Sequence, residues 1–228
     1  MNALILAAGF GTRLKPLTNK IPKCLVPIKG TPLLELWLEQ LSLLKVNKII
    51  LNTHYLSDQV SDFISDSKYN NICKAINEKI LLGTAGTLLK NIDEFLDDDC
   101  ILLHADNYTK TDLNNLVIAH QNRPDHCLIT ILVFKTNNPS SCGIVELKDN
   151  VVVNLHEKIP NPPGNIANGA IYILSKDALQ NIKNDFPNAK DFVNDILIHF
   201  IGKIYSYYTN EIFLDIGTPE NYFKANSE

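Results

Sequence analysis

The N-terminal segment carries the residues best suited to chemistry. Gly9 and Gly11 follow a short apolar run, and the cations Arg13 and Lys23 come shortly afterwards. Successive backbone amides in a glycine-rich turn form an anion-binding concavity, and nearby guanidinium and ammonium groups add mobile positive charge. This spacing predicts a loop that binds a polyphosphate. Its candidate residues are Ala7, Ala8, Gly9, Gly11, Thr12, Arg13 and Lys23.

Two common phosphate loops do not fit this spelling. The loop of nucleoside triphosphatases ends in Gly-Lys-Ser/Thr, whereas Gly11 is followed by Thr12 and Arg13. The dinucleotide-binding fingerprint requires a third glycine where this chain has Leu14, and Pro16 interrupts the helix that should begin there. The loop therefore belongs to another class of phosphate-binding segment.

Two carboxylates follow apolar runs that are far apart in the sequence. Asp106 comes after the run 101–104, and Asp215 ends the run that begins at Phe213. Ligands of open α/β sheets lie beyond the carboxyl ends of the strands, and Mg²⁺ prefers a couple of carboxylates together with phosphate oxygens. An Asx turn at Asp106 and a helix cap at Asp215 are the structural alternatives, and the residues alone leave both open.

Composition limits the class of protein. The 228 residues are 45% hydrophobic and 20% charged, which predicts a single globular domain with an ample core. The formal net charge of -4 provides no broad basic surface, so we expect no nucleic-acid partner. The sequence shows no secretory leader and no apolar run of membrane-spanning length, which favours a cytoplasmic protein without a membrane partner.

The cysteines indicate neither a zinc site nor a disulfide framework. They are five in number, widely separated and never spaced as Cys-x-x-Cys, so reduced and buried thiols are expected. The six histidines are scattered without metal-ligand spacing, and none is assigned a catalytic role.

Apolar runs alternate with helical patterns along the chain, which predicts an α/β fold with a mixed, mainly parallel central sheet. A hairpin at 144–153 marks the point where the sheet becomes mixed. Predicted strands span 48–52, 101–104, 127–133, 144–147, 151–153, 170–174, 204–208 and 213–216. Predicted helices span 32–44, with proline first, 57–65, opened by a serine cap, 176–182 and 192–200, and a last one begins at Pro219.

The segment from Leu6 to Pro27, including Gly-x-Gly-Thr-Arg and Pro22-Lys23, resembles the opening motif of the sugar-phosphate nucleotidyltransferases. The resemblance implies a three-layer Rossmann-like nucleotidyltransferase fold and a role in nucleotide-sugar synthesis for cell-surface polysaccharides. It also implies that Asp106 and Asp215 hold Mg²⁺, although Ala105 stands where the family usually has glycine. On this basis residues 1–228 form one domain, with a nucleotide-binding part at about 1–140 and a sugar-binding lobe at about 141–228.

The resemblance also suggests a sugar-phosphate site. Glu157 and Lys158 are similar to the Glu-Lys-Pro of the family, where lysine contacts the sugar phosphate and glutamate a sugar hydroxyl, but Ile159 replaces the proline. Asn168 corresponds to a sugar contact, and Gly143 lets the backbone approach the same sugar. An exposed charged pair is the alternative for Glu157 and Lys158.

The resemblance implies base recognition at Glu78, Gly83 and Thr84, together with the backbone near Ala8. An ionised glutamate only accepts hydrogen bonds, and guanine offers two adjacent donors on its pairing edge, so guanine fits best. The spelling Leu-Gly-Thr-Ala-Gly resembles the mannose-1-phosphate and heptose-1-phosphate guanylyltransferases. The alternative is that Glu78 faces solvent and the backbone sets specificity.

The resemblance implies an enzyme that joins a nucleoside triphosphate, GTP in preference, to a mannose-type or heptose-type sugar 1-phosphate with release of pyrophosphate. Arg13 and Lys23 are its catalytic candidates. Two alternatives are a cytidylyl- or uridylyltransferase acting on another phosphorylated small molecule, such as phosphocholine, and a non-catalytic nucleotide-sugar sensor. The short segment after Asp215 favours a monomer or a small homo-oligomer.

Overall fold

The computed structural model describes residues 1–228, which divide into two compact units. The first unit comprises Met1–Leu81, Leu103–Thr111 and Ile212–Glu228. The second comprises Leu82–Leu102 and Asp112–Glu211. The C-terminal segment therefore groups with the first unit, and residues 112–140 group with the second. The nucleotide-binding part at about 1–140 and the sugar-binding lobe at about 141–228 stay a prediction.

Thirteen strands and six α-helices are interspersed along the chain, and the main sheet contains parallel and antiparallel pairs, so the predicted α/β class with a mixed sheet is confirmed. The order in the main sheet is β5-β4-β1 within the first unit and β11-β8-β12-β10-β9 within the second, and β6 is divided between the units. The strands are β1 Asn2–Leu6, β2 Pro27–Ile28, β3 Thr31–Pro32, β4 Ile49–Thr53, β5 Cys73–Asn77, β6 Cys100–His104, β7 Asn107–Thr109, β8 Ile129–Lys135, β9 Gly143–Lys148, β10 Val151–Glu157, β11 Ile166–Leu174, β12 Ile204–Thr209 and β13 Phe213–Asp215.

Six α-helices connect these strands, and short 3₁₀ turns follow the phosphate loop at Thr12–Leu14, Leu17–Asn19 and Lys23–Leu25. The α-helices are α1 Leu33–Leu43, α2 Ser57–Asp66, α3 Thr84–Asn91, α4 Leu113–Gln121, α5 Lys176–Asp185 and α6 Pro219–Ser227. Further 3₁₀ turns are Ile92–Glu94, Pro139–Ser141 and Leu197–Phe200, and Phe192–Ile196 is a π-helical turn. None of these helices is long and apolar enough to cross a bilayer.

Three local predictions need correction. Pro32 is the N-cap of α1 and not its first residue, because Thr31–Pro32 pairs as a short strand with Pro27–Ile28. Ser57 does not cap α2, since the left-handed Leu56 occupies the cap position without a side-chain hydrogen bond. The expected helix 192–200 is a π-helical turn followed by a 3₁₀ turn.

Parallel pairing in the first unit brings the ends of three strands together. Strand β1 pairs with β4 so that Leu6 lies opposite Asn52, and β4 pairs with β5 so that Thr53 lies opposite Asn77. All three strands are parallel, so the residues that follow them emerge at one edge. This register places the phosphate loop, Asn52 and Glu78 side by side.

A short antiparallel pair joins the C-terminal segment to the rest of the first unit. Strand β13 pairs with β7 so that Asp215 lies opposite Asn107, and the Ile216 N–H donates to the carbonyl of Asp106 at 2.8 Å. This pairing explains why residues 212–228 group with the first unit. It also brings two distant aspartates to the same place.

The second unit combines one parallel pair, β12 with β8, with several antiparallel pairs, including the predicted β9–β10 hairpin. The register between β11 and β8 shifts between Asn168 and Tyr172. Such a bulge bends a strand and re-aims its side chains, and bulges are frequent beside binding sites. Four of the five cysteines are buried and all five are free thiols, in agreement with the sequence.

Candidate active site

Lys23 forms the centre of a cluster of charged side chains in the first unit. Its ammonium Nζ lies 2.5 Å from Oδ2 of Asp106 and 3.2 Å from Oδ1 of Asp215. The lysine side chain is 9% exposed, whereas the two carboxylates are 35% and 49% exposed. The structure therefore brings three of the predicted site residues together, with two carboxylates around the buried ammonium of Lys23.

Arg13 extends this cluster toward solvent. One of its guanidinium nitrogens lies 3.5 Å from Oδ2 of Asp215, and its side chain is 67% exposed. Gly217 leaves room for this arrangement, because a Cβ atom there would lie 2.8 Å from the guanidinium of Arg13 and 2.9 Å from the carboxylate of Asp215. Arg13 is thus a partly tethered cation with most of its surface free to meet an anion.

The charges of the cluster change the pKa of Asp106. Burial opposes ionisation of Asp106, but the opposite charge and hydrogen bond of Lys23, aided by His104, outweigh it and lower the pKa of this carboxyl. Asp106 is therefore a carboxylate at neutral pH. Because one ammonium reaches oxygens of both aspartates, one cation is able to bridge them.

The phosphate loop has the conformation that its glycines predict. Gly11 has a φ of 64°, in the left-handed region that glycine adopts without steric cost, and a Cβ there would lie 2.9 Å from Thr18 Cγ2. A Cβ at Gly9 would meet nothing within 4 Å, and Gly9, Phe10 and Thr12 are exposed. The loop is consequently open on one side and packed on the other.

Residues that the sequence analysis did not single out hold this loop in place. The Oδ1 atom of Asn52 accepts the Ala7 N–H at 2.7 Å, so this amide is already engaged within the chain. The hydroxyl of Thr18 donates to the carbonyl of Gly11 at 2.7 Å, and the hydroxyl of Tyr55 donates to the carbonyl of Thr18 at 3.1 Å. Two of these residues lie at or just beyond the end of β4.

An aromatic contact adds to these hydrogen bonds. The ring of Phe10 lies edge-on to His54, with centroids 5.3 Å apart, and is tilted against Tyr55 at 5.9 Å. His54 therefore has a packing role, in keeping with the absence of a predicted catalytic one. The available sequence signal was the polar run Asn52–Tyr55 at the end of an apolar strand.

Glu78 is buried, with 2% of its surface exposed. Its Oε1 accepts a hydrogen bond from Nδ2 of Asn52 at 3.2 Å, and its carbonyl lies 2.7 Å from Nδ1 of His54. A carbonyl is only an acceptor, so Nδ1 of His54 carries the proton. The alternative of a solvent-facing Glu78 is wrong, and any base contact must use the small exposed area of this residue.

Gly83 and Thr84 lie at the start of α3 in the second unit. Gly83 has a φ of 82°, and a Cβ there would collide with the carbonyl oxygen of Lys190. That carbonyl accepts the Ala85 N–H at 2.9 Å, and the hydroxyl of Thr84 accepts the Phe192 N–H at 2.7 Å. Close packing against residues 190–192 accounts for a glycine and a threonine at these two positions. Their contact with a nucleotide stays a prediction.

A second group of predicted residues meets at the β9–β10 hairpin. A Cβ at Gly143 would collide with Oε2 of Glu157, so only glycine leaves this carboxylate its place. Lys158 follows with a φ of 50°, and its ammonium lies 3.1 Å from Oε1 of Glu157. The lysine side chain is 65% exposed and available to an anion.

The bulge in β11 fixes Asn168 beside this pair. Its Oδ1 accepts the Ala170 N–H at 2.7 Å, and its Nδ2 donates to the hydroxyl of the buried Tyr172 at 2.8 Å. Ala170 takes a φ of 52°, which the side-chain hydrogen bond supports. The Cβ position of Gly143 lies 3.7 Å from Cβ of Asn168, so Gly143, Glu157 and Asn168 form one compact group.

A divalent cation fits the first of these clusters by its donor set. Two aspartate carboxylates already share one positive group, and hard oxygen ligands from one or two carboxylates are what Mg²⁺ takes when phosphates and waters complete its shell. The chain has no group of three or more potential ligands, so it offers no cage made by protein alone. The cluster suits a metal that arrives with a phosphate ligand.

Comparison with known proteins identifies the class. The model of the nucleotidyl transferase family matches residues 2–228, and the chain belongs to this family. The resemblance seen in the opening motif is thereby confirmed.

Two individual relatives are similar to this chain over nearly its whole length. A D-glycero-alpha-D-manno-heptose 1-phosphate guanylyltransferase of Campylobacter jejuni is 30% identical over 230 residues, covering 98% of this chain and 97% of its own length. A candidate mannose-1-phosphate guanyltransferase of Sulfolobus acidocaldarius is also 30% identical over 230 residues. This chain spans 63% of the length of that archaeal relative.

Solved structures confirm the fold. HddC from Yersinia pseudotuberculosis superposes with a TM-score of 0.82 at 29% identity over 99% of this chain and 98% of HddC. A structure of HddC complexed with GMP-PN gives a TM-score of 0.80 at 30% identity, with the same coverage of both chains. The predicted nucleotidyltransferase fold class is correct.

Proposed function

We propose that this chain transfers a guanylyl group from GTP to a mannose-type or heptose-type sugar 1-phosphate, giving a nucleotide sugar and pyrophosphate. The observation that carries the proposal is the cluster of Lys23 with Asp106 and Asp215, which lies beside Arg13 after a glycine-rich loop. Support for guanine and for these sugars comes from the names of the relatives and from the complex of HddC with GMP-PN.

The proposed reaction requires no nucleophile from the protein. An oxygen of the sugar 1-phosphate attacks the α-phosphorus of GTP in line, a new P–O bond forms, and the bond to pyrophosphate breaks. The attacking group is already an anion, so no general base is needed to activate it. Catalysis then consists of orienting two anions and neutralising charge that grows on the leaving group.

The cations of the chain would share this neutralisation. We assign Arg13 to the leaving pyrophosphate, because it is the most exposed cation of the first cluster. Lys23 would contact the α-phosphate, and Lys158 the phosphate of the incoming sugar. Glu157 and Asn168 would accept and donate hydrogen bonds to sugar hydroxyls, in keeping with their polar atoms and partial exposure.

We infer that Asp106 and Asp215 hold Mg²⁺ during this reaction. When bound, Mg²⁺ would polarise phosphate oxygens and offset their charge. Lys23 would then give up part of its contact with the two aspartates, which leaves its ammonium free to bind the α-phosphate. This exchange of partners requires only a side-chain movement of a flexible lysine.

The test is a matrix of GTP, ATP, CTP, UTP and dTTP against mannose 1-phosphate, heptose 1-phosphate, glucose 1-phosphate and phosphocholine, scored by pyrophosphate release. We expect the highest kcat/KM with GTP and a manno-configured acceptor. Turnover with CTP or UTP and none with GTP would contradict the guanine assignment while retaining nucleotidyl transfer. Nucleotide binding without pyrophosphate release in any combination would instead indicate a sensor.

A further inference from the structure

A chain of three groups links Glu78 to the phosphate loop. The carboxylate of Glu78 accepts from Nδ2 of Asn52 at 3.2 Å, and Oδ1 of Asn52 accepts the Ala7 N–H at 2.7 Å. Asn52 is 4% exposed and Glu78 is 2% exposed, so the hydrogen bond between them is buried, whereas the bond from Ala7 to Asn52 is partly buried. Ala7 is the first residue after β1, at the point where the loop leaves the sheet.

The chemistry of these groups fixes the orientation of the amide. The Ala7 N–H is a donor and therefore faces the oxygen of Asn52, which turns the amide nitrogen toward Glu78. A carboxylate accepts from that nitrogen in a charge-assisted bond, which is stronger than a bond between neutral groups. Asparagine is thus the side chain that offers one acceptor and one donor at this distance.

We propose that Asn52 is a positioning residue that couples Glu78 to the phosphate loop, so that the base and the triphosphate are held by one hydrogen-bonded unit. This inference rests on the proposed function, since it assumes that the loop receives the triphosphate and that Glu78 contacts the base. Asn52 itself touches neither. It sets where the loop begins and holds the carboxylate in place.

The surroundings of Asn52 support a rigid coupling. In the pairing of β4 with its neighbours, Asn52 lies opposite Leu6 of β1 and opposite Ile76 of β5, so the side chain is carried by the middle of three strands. His54 binds the backbone of Glu78 and contacts the loop residue Phe10. A shift of Glu78 is therefore transmitted to the loop by two routes, one polar and one through aromatic packing.

Reversing the polarity of the Asn52–Glu78 bond tests this coupling. Asn52→Asp keeps the acceptor for Ala7 but places a second carboxylate against Glu78. Glu78→Gln keeps an oxygen that accepts from Asn52 but removes the charge offered to a base. The double variant Asn52→Asp with Glu78→Gln restores a donor–acceptor pair of opposite direction and the original net charge.

Two readouts separate the two roles: calorimetric binding of inorganic tripolyphosphate, and the ratio of GTP to UTP affinities. We expect Asn52→Asp to weaken tripolyphosphate binding about tenfold, and the double variant to recover most of it. Glu78→Gln should leave tripolyphosphate binding within about twofold and lower the GTP preference about tenfold. The double variant should not recover the GTP preference.

Asn71→Asp, which adds the same charge at an exposed position, is the matched control. Circular dichroism checks the fold, and Asn52→Ala is the second variant. It removes both hydrogen bonds without adding a charge and should also weaken tripolyphosphate binding, with no recovery by Glu78→Gln.

Wild-type tripolyphosphate binding in Asn52→Ala, or no recovery in a folded double variant, would overturn the coupling. An unchanged GTP preference in Glu78→Gln would overturn it as well. Because these measurements need no sugar phosphate, a wild-type protein that binds tripolyphosphate and GTP but releases no pyrophosphate would contradict the proposed function and leave this inference standing.

Discussion

The two compact units hold their candidate functional side chains by different means. In the first, opposite charges meet directly, with the ammonium of Lys23 between the carboxylates of Asp106 and Asp215. In the second, the backbone positions the side chains. The absence of a side chain at Gly143 leaves room for Glu157, and the bulge that follows Asn168 fixes that residue beside them. Charge is encoded in residue type, whereas a bulge is encoded in the pairing of strands. The phosphate chemistry of this family is therefore easier to recognise in a sequence than the identity of its sugar.

Lys23→Ala tests the charge-determined cluster of the first unit and should have the largest effect. It removes a preorganised positive charge from the reacting phosphates and leaves two carboxylates without their shared partner, so we expect kcat to fall at least about 100-fold. Pyrophosphate release under saturating substrates measures the effect. Lys20→Ala, which removes an exposed lysine three residues earlier, is the matched control. A near-normal rate in Lys23→Ala would remove this lysine from the mechanism.

Gly143→Ala tests the backbone-determined site. The new Cβ would collide with the carboxylate of Glu157 and displace it, so we expect KM for the sugar phosphate to rise about tenfold while KM for GTP changes less than about twofold. Gly164→Ala is a suitable control, because a Cβ there would only touch Ile144 at an ordinary distance of 3.9 Å. Equal increases in both KM values would show that the two groups of residues are not independent.

Asn168→Ala probes how the bulge is stabilised. It leaves the hydroxyl of Tyr172 buried without this partner, and burial already raises the pKa of that hydroxyl far above its usual range. We expect the free energy of unfolding in urea to fall by about 1 to 2 kcal/mol. The loss should be smaller when the same substitution is made in a Tyr172→Phe background, where no hydroxyl is stranded. Equal losses of unfolding free energy in both backgrounds would assign the effect to the hydrogen bond between Asn168 and the Ala170 N–H alone.

The smallest expected effect concerns pH. Burial, opposed by Asp99 and reinforced by Arg123, lowers the pKa of His120 below its ordinary value of 6.5 in the folded chain. The unfolded chain then binds more protons below pH 6.5, so stability falls as the pH decreases, by at most about 1.4 kcal/mol per pH unit. His120, whose Nε2 lies 3.5 Å from Oδ2 of Asp99, also lowers the pKa of that carboxyl, but the loss of stability from Asp99 begins only below about pH 3.8.

Thermal unfolding between pH 5.0 and 7.5 measures this dependence. His120→Gln should flatten it, whereas His126→Gln, which alters an exposed histidine six residues later, should not. An unchanged slope in His120→Gln would assign the pH response to other groups. The result would sharpen the contrast, because it would assign a pH response of stability to a residue of the second unit.

The sequence was sufficient for the parts of the site that depend on residue type at short spacing. The loop cations were recognisable from the glycines beside them. The two aspartates were assigned from the resemblance to the family, because the residues alone left an Asx turn and a helix cap open. Asn52 and Tyr55 were missed because the polar run at the end of β4 does not show which of its residues hold the loop, and the importance of Asn52 comes from the strand beside it. Neighbouring strands cannot be identified from one sequence.

Two helices escaped prediction for different reasons. Helix α3, Thr84–Asn91, begins inside the segment predicted to bind the base, so its first residues were assigned to binding and not to a helix. Helix α4 had a usable signal in Asp112, whose carboxylate accepts the Asn114 N–H as an N-cap. The division into compact units was not predictable, because the pairing of β13 with β7 links segments far apart in the chain.

That pairing has a consequence for the order in which the protein is made. A ribosome completes the loop cations first, then Asp106, then the whole of residues 112–211, and only afterwards Asp215. Domains generally fold as units during synthesis, with N-terminal parts first. The nascent first unit must therefore wait for about half of the chain to emerge before its charge cluster is complete. Until then Lys23 has Asp106 as its one aspartate partner, and the emerging polypeptide lacks the second carboxylate needed for the proposed metal.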